Sequence, residues 1–183
     1  CNFVDSIINY FLILSALGIG TVGIREVAKH KGDKTRLQET FSKLFTINTI
    51  STSIALIVLL IAMHTVEKLY ENYELMWIGV LKLVFNYLLI EWFYKGLEDF
   101  KYITNRTIIV RLLYVLSVFI FINDTHDVAT YYMLTTGTII VNATINILYA
   151  RRLVQLKLCF SSLKQYVKSV CTLGVYNILT SMY

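Results

Sequence analysis

Apolar residues in this chain come in long blocks that are separated by short polar segments. A helix needs ~20 apolar residues to cross the hydrocarbon core of a membrane. Five blocks approach this length, at residues 3–24, 44–63, 75–94, 107–122 and 128–150. A further block begins near residue 170 and continues to residue 183. The pattern predicts an all-α fold, a polytopic transmembrane helix bundle with five full spans and a truncated sixth.

The composition supports a membrane protein over a soluble one. Of the 183 residues, 56% are hydrophobic and only 16% are charged, and the mean hydropathy is +0.61. Soluble domains carry roughly 25% charged and about 45–50% apolar residues. A very apolar soluble helical bundle is the alternative. It does not need blocks of membrane-spanning length, so we favour the membrane protein.

Basic residues are distributed unevenly among the connections. Almost all of them fall in three segments, residues 25–43, 95–106 and 151–168. The two intervening connections, residues 64–74 and 123–127, contain only Lys68. Cytoplasmic loops carry an excess of Lys and Arg, so the three basic segments are expected in the cytoplasm and residue 1 outside. This topology signal accounts for the net charge of +5, and no nucleic-acid partner is expected.

The first basic segment is predicted to have two parts. Gly32 and Asp33 interrupt it, and the residues that follow, Leu37, Phe41 and Leu44, have helical apolar spacing. Such a helix can lie along a membrane surface, so we expect a surface helix here before the second span begins.

Lys82 is the most unusual charge, because it lies about two turns into the third span. A lysine near the bilayer centre costs roughly 2.5–3.5 kcal/mol on insertion scales. It could contact an anionic substrate inside the bundle, or its flexible stem could carry the ammonium group to the outer interface. The sequence leaves both interpretations open.

Four other charges lie near the expected cytoplasmic interface. Arg111 and Glu91 can reach water there or pair with a neighbour such as Lys95, and Arg25 and Glu26 close the first span. Their plainer interpretation is interfacial placement and topology signalling.

The sequence contains no recognisable catalytic or metal-binding motif. His30, His64 and His126 are scattered over connections, and the three cysteines lack ligand spacing. Residues 124–127, Asp-Thr-His-Asp, could bind a metal, but a short polar turn explains them better. We therefore expect no metal, no cofactor and no enzymatic activity.

Two tracts resemble a known transporter family. Residues 18–29 contain Gly18, Gly20 and Gly23 followed by Arg25 and Glu26, and a charged loop comes next. Residues 91–104 begin Glu91-Trp92-Phe93-Tyr94-Lys95-Gly96. In this order and spacing they resemble Wzx-type polysaccharide flippases of the multidrug/oligosaccharidyl-lipid/polysaccharide exporter superfamily, and the resemblance covers essentially the whole chain.

The resemblance implies a larger protein with two helical lobes in the bacterial plasma (inner) membrane. The chain would be most of the N-terminal lobe, residues 1–183, without the first helix and the C-terminal lobe. Such proteins flip oligosaccharides linked to undecaprenyl pyrophosphate by alternating access, for O-antigen, capsule or exopolysaccharide synthesis. The lipid bilayer and polysaccharide polymerase machinery would be further partners. Because the family's cavity is typically cationic, the substrate-contact candidates are Lys82, Arg25 and Arg111, with Glu26 and Glu91 as secondary candidates.

Other functions remain open at this stage. A lipid II flippase or a drug exporter of the same superfamily would share the fold. A membrane-bound polysaccharide polymerase or glycosyltransferase would need a large outer loop or a cytoplasmic nucleotide-sugar domain, and every connection here is short. A structural scaffold is a less attractive alternative, because the spans contain polar groups.

Overall fold

The computed structural model describes residues 2–121, 128–161 and 163–181. The expected turn at residues 123–127 lies outside them. Helices make up most of the described residues, and no strand occurs among them. In chain order they are α1 (Asn2–Ala16), α2 (Ile19–His30), α3 (Lys34–Thr65), α4 (Glu67–Tyr70), α5 (Tyr73–Tyr87), α6 (Glu91–Leu97), α7 (Phe100–Phe121), α8 (Val128–Leu153) and α9 (Lys164–Ser181).

Within the described residues, five stretches are long and apolar enough to cross a membrane. They are Phe3–His30, Lys34–Thr65, Tyr73–Leu97, Phe100–Phe121 and Thr130–Leu153. The prediction of an all-α bundle of membrane-spanning helices is therefore confirmed. Helix α9 occupies the position of the predicted sixth span and is not one of the five.

The second span begins earlier than predicted, at Lys34 rather than residue 44. Asp33 caps it by accepting hydrogen bonds from the backbone N–H groups of Thr35 and Arg36, at 3.0 and 3.1 Å. The prediction of a separate surface helix is wrong, because α3 continues without a break and Phe41 is fully buried. At ~1.5 Å per residue its 32 residues extend roughly 48 Å, farther than the hydrocarbon core.

The first and third spans are each interrupted, which the sequence analysis did not predict. Span one breaks between α1 and α2 at Leu17, and span three breaks between α5 and α6 at Ile90. Both residues have a positive φ angle, 41° and 39°. Residues other than glycine rarely adopt this left-handed conformation, which costs roughly 1–3 kcal/mol, so surrounding contacts must hold each break in place.

The three basic segments meet at one end of the bundle, here called the basic end. Lys31 Nζ lies 2.7 Å from Glu98 Oε2 and joins the first segment to the second. Gln38 Nε2 donates to the backbone oxygen of Gln155 at 2.7 Å and joins the first segment to the third. The predicted alternation of connections between two ends of the bundle agrees with this arrangement. The assignment of the basic end to the cytoplasm stays a prediction.

Two separate apolar cores hold the bundle together. The core at the basic end combines residues from α2, α3, α6 and α8, such as Val22, Phe41, Phe93 and Ala150. The other combines residues from α1, α3, α5 and α8. Both breaks in the spans lie at the first core, since Ile90 belongs to it and Leu17 packs against it.

Candidate functional site

A cavity of about 240 Å³ lies between the two broken spans. Residues on both sides of the first break line one wall, among them Ala16 and Gly20. Residues at the second break, Leu89 and Ile90, line the opposite wall. A broken helix leaves backbone groups without their usual partners, and in a membrane such backbone is tolerated where it is buried in protein or lines a watery cavity. The two breaks therefore define one site.

Polar side chains also line this cavity. Asn48 of α3 and Asn86 of α5 face it, and Asn48 Nδ2 donates to the backbone oxygen of Tyr87 at 3.4 Å. Trp92 lies in the wall and is 7% exposed. Its indole Nε1 is buried and has no hydrogen-bond partner among the described residues. An indole N–H only donates, so this buried group lacks the acceptor that it needs.

Asn146 of α8 holds the second break in place. Its Nδ2 donates to the backbone oxygen of Leu89, which is one of the groups freed by the break. Its Oδ1 accepts from Arg106 and, at 3.0 Å, from the Tyr102 hydroxyl. The Tyr94 hydroxyl donates to the Asn146 backbone oxygen. One buried amide therefore ties α6, α7 and α8 to the break between α5 and α6.

Arg106 is the most deeply buried cation of the network, with a side chain only 4% exposed. One guanidinium nitrogen donates to Asn146, and another donates to Glu91 Oε1 at 3.0 Å. Glu91 Oε2 lies 3.2 Å from Lys95 Nζ, on the same short helix. Burial of a charge is costly unless it is paired, and the carboxylate of Glu91 neutralises Arg106 here.

Three tyrosines flank this network. Tyr102 and Tyr149 stack with ring centroids 4.0 Å apart, and Tyr94 lies 4.9 Å from Tyr102. Tyr149 donates to Asp99 Oδ2 at 2.9 Å. The stack joins α6, α7 and α8 through apolar ring faces while each hydroxyl keeps an acceptor, so the network is rigid as well as polar.

Lys82 lies inside the bundle, away from this network. Its Nζ is 3.5 Å from Asp5 Oδ1 of α1 and 5.6 Å from the ring centroid of Tyr132 on α8. The Lys82 side chain is 13% exposed and the Asp5 side chain 33%. Its charged group is thus held by two neighbouring helices, as expected for the bundle-interior interpretation of the sequence.

Arg25 and Glu26 lie at the basic end of α2. Glu26 is 8% exposed and accepts from Arg25 Nε and from Lys29 Nζ, both at 3.0 Å. The Arg25 side chain is 53% exposed. Arg25 follows the cavity residue Ile24 in sequence, but its side chain pairs with Glu26 and is not part of the cavity lining.

Comparison with protein-family models gives a match over the whole chain, residues 1–183, to the family described as polysaccharide biosynthesis protein. The chain belongs to this family. Neither the search of curated proteins nor the search of solved structures gave a match. Together with five helices long and apolar enough to cross a membrane, membership of the polysaccharide biosynthesis family identifies a multi-pass membrane protein.

The structure brings some of the sequence-predicted candidates together and separates others. Glu91 lines the cavity of this polysaccharide biosynthesis protein, and Arg25 is the neighbour of cavity residue Ile24. Lys82 lies one helical turn from cavity residue Asn86, on the same face of α5. Arg111 lies apart, on the exposed side of α7, and is not a lining residue of this cavity. Its role as a substrate contact stays a prediction.

The sequence analysis missed three residues of the site. It assigned Arg106 to a basic loop, because the fourth span was predicted to begin at residue 107 rather than at Phe100. It singled out neither Asn146, which lies within the predicted fifth span, nor Asp5, which lies near the start of the first. Asn146 was the available signal, because a buried amide in a membrane helix requires polar partners.

Proposed function

We propose that this protein moves an oligosaccharide linked to undecaprenyl pyrophosphate across the bacterial plasma membrane, from the inner to the outer face. The cargo would serve synthesis of O-antigen, capsule or exopolysaccharide. The proposal joins the polysaccharide biosynthesis family to the sequence resemblance to Wzx-type flippases. In it the protein is a transporter and not an enzyme.

The observation that carries the proposal is the cavity between two broken spans. Transporters commonly place their substrate sites where membrane helices are interrupted, because freed backbone groups and polar side chains can then replace water around a charged cargo. Here both breaks line one cavity of about 240 Å³, whose mostly apolar wall includes Asn48, Asn86, Glu91 and Lys95. A purely structural bundle has no need of either break.

The charges around this cavity suit a cargo with an anionic head and sugar hydroxyls. Lys95 lines the cavity, Arg25 follows the lining residue Ile24 in sequence, and Lys82 lies one turn from the lining residue Asn86. We propose that these cations, together with Arg111 on the outer side of α7, guide a pyrophosphate or acidic sugar. Glu26 and Glu91 would hold Arg25 and Lys95 in place.

We further propose that the chain forms an N-terminal lobe that rocks against a second lobe, so that the cavity opens alternately to each side. Polysaccharide polymerase machinery on the outer side would use the delivered cargo. A lipid II flippase or a drug exporter would use the same motion with a different cargo. These functions therefore differ from the proposed one in the molecule that is transported.

The test is a flipping assay with the protein as its gene encodes it in full, reconstituted in proteoliposomes. Fluorescent undecaprenyl pyrophosphate-linked oligosaccharide, lipid II and a cationic dye would be offered separately. We expect the oligosaccharide donor alone to cross. Preferred movement of lipid II or of the dye would replace the proposed cargo, and elongation of the donor without movement would indicate a polymerase.

Substitutions test the site in the same assay. Lys82→Gln and Arg25→Gln are expected to slow flipping at unchanged protein level, because each removes a cation that meets the cargo. Lys34→Gln is the matched control, since Lys34 is exposed at the start of α3. Wild-type flipping by both variants would remove these two residues from the site.

A further inference from the structure

The pair formed by Asp5 and Lys82 joins α1 to α5 in the half of the bundle opposite the basic end. Lys82 lies roughly 14 Å along α5 from Tyr73, at ~1.5 Å per residue. The apolar neighbours of the pair, such as Ile8 and Leu83, are fully buried in the second core. Asp5 therefore supplies a negative charge where an unpaired lysine would be costly.

This pair is looser than the other lysine–carboxylate pairs in the described chain. The Lys82 Nζ to Asp5 Oδ1 distance is 3.5 Å, compared with 2.6 Å for Lys43 to Glu39 and 2.7 Å for Lys31 to Glu98. Charge-assisted hydrogen bonds of this type are ordinarily about 2.7–2.9 Å long. Attraction between Lys82 and Asp5 is thus present without the closest geometry.

The surroundings of the pair are open and polar on one side. A third of the Asp5 side chain is exposed, and Ser6, Asn9 and Tyr10 of α1 are exposed beside it. In a membrane protein, a helix face with such residues is expected to meet a watery path or another polar surface rather than lipid tails. On the other side, the face of α5 that carries Lys82 continues to the cavity at Asn86. Lys82 is therefore one helical turn, about 6 Å of rise, from a residue that lines the cavity.

We propose that Asp5 is an exchangeable counter-anion for Lys82: an anionic group of the cargo replaces Asp5 at the ammonium group, and Asp5 takes its place again when the cargo leaves. This inference rests on the proposed transport function and names its ligand class, a phosphate or carboxylate. Because the site lies in the half away from the basic end, the return of Asp5 assists release on that side.

Binding of small anions to the detergent-purified full protein tests the exchange without transport. Inorganic pyrophosphate represents the lipid carrier, and glucuronate represents an acidic sugar. Asp5→Asn is expected to bind the matching anion about tenfold more tightly, because a tethered competitor has been removed. Lys82→Gln is expected to lose this binding. The anion that responds identifies the part of the cargo recognised.

A double-mutant cycle separates exchange from a structural role. In the Lys82→Gln background, Asp5→Asn should no longer change the anion affinity. The double variant also has no unpaired buried charge, because both residues are neutral. Glu71→Gln is the matched control, as an exposed carboxylate at the same end of the bundle. If the Asp5→Asn variant does not accumulate, the Asp5→Ser variant is used in its place, because it removes the same charge. Unchanged or weaker anion binding by the Asp5→Asn variant would overturn the inference. So would an increase in anion affinity on Asp5→Asn substitution that persists in the Lys82→Gln background.

Flipping kinetics distinguish this inference from the proposed function. Asp5→Asn should lower both the maximal flipping rate and the donor concentration for half-maximal rate, since the cargo is held longer. A fall in rate at unchanged half-maximal concentration would argue against exchange while leaving the flippase intact. Absence of flipping by the wild-type protein would reject the proposed function, and the anion-binding cycle would still decide whether Asp5 competes at Lys82.

Discussion

At the scale of single residues, Asn146 makes the most connections in the site. Its amide and backbone oxygen bond to Leu89, Tyr94, Tyr102 and Arg106, which belong to α6, α7 and the broken segment between α5 and α6. Asn146 is fully buried, so no water can replace these bonds without rearrangement. The conformation of the break therefore depends on one side chain from a helix far along the sequence.

Replacement of Asn146 by Ala is expected to lower stability more than replacement of any exposed polar residue of α8. The change removes the partner of the Leu89 oxygen and the acceptor of one Arg106 guanidinium nitrogen, while the ion pair between Arg106 and Glu91 remains. Each unsatisfied buried group costs about 1–3 kcal/mol. Thermal unfolding in detergent measures the loss. Thr144→Ala is the control, because Thr144 is exposed and bonds only within its own helix, to Ile140 at 2.8 Å. Equal melting temperatures for the two variants would contradict this role of Asn146.

At the scale of elements, close helix contacts depend on missing side chains. Helices α2 and α6 pack against each other at Gly96, where an added Cβ would lie 2.6 Å from the Val27 Cβ. Near the first break, a Cβ on Gly18 would lie 2.5 Å from the backbone oxygen of Val170 in α9. Small residues allow such approach between membrane helices. Here they let α2 pack closely against α6 and α9 at the basic end.

Gly96→Ala is therefore expected to destabilise the protein by about 1–3 kcal/mol, the usual range for an overpacked core. The matched control is Gly137→Ala in α8, where an added Cβ meets no atom within 4 Å. Alanine there should be neutral or gain up to ~1 kcal/mol from its higher helix propensity. Thermal unfolding of the two variants side by side measures both changes. A Gly96→Ala protein as stable as the control would show that α2 and α6 can separate without cost.

At the scale of the whole molecule, the bundle is polarised along its length. The basic segments and the first apolar core lie at one end, and the second core with the Asp5–Lys82 pair lies toward the other. The cavity is lined by residues at both breaks and by Lys95 of the second basic segment. In the proposed function, the cargo enters near Arg25 and leaves near Lys82, which is the direction from the basic end outward.

Cysteine labelling in intact cells tests the polarity. With the native cysteines replaced by serine, Glu71→Cys is expected to react with a membrane-impermeant maleimide added outside. Lys34→Cys and Lys101→Cys should react only after the membrane is permeabilised, because Lys-rich connections are retained in the cytoplasm. All three positions are exposed at helix ends or connections. Labelling of residues 34 and 71 from the same side would reject the proposed topology.

The sequence by itself determined the number of full spans, the helical class and the grouping of basic segments. These features follow from local hydropathy and charge, which act on each segment as it meets the membrane. Only the tertiary structure decided where spans one and three break, that Arg106 is buried, and that Asp5 faces Lys82. Each of these depends on a distant partner. The second break needs Asn146, the first is packed against α9, and a loop arginine becomes a core residue only once Glu91 lies beside it. Hydropathy along one segment does not report which residues of other helices will complete its hydrogen bonds, and these partners fix the site.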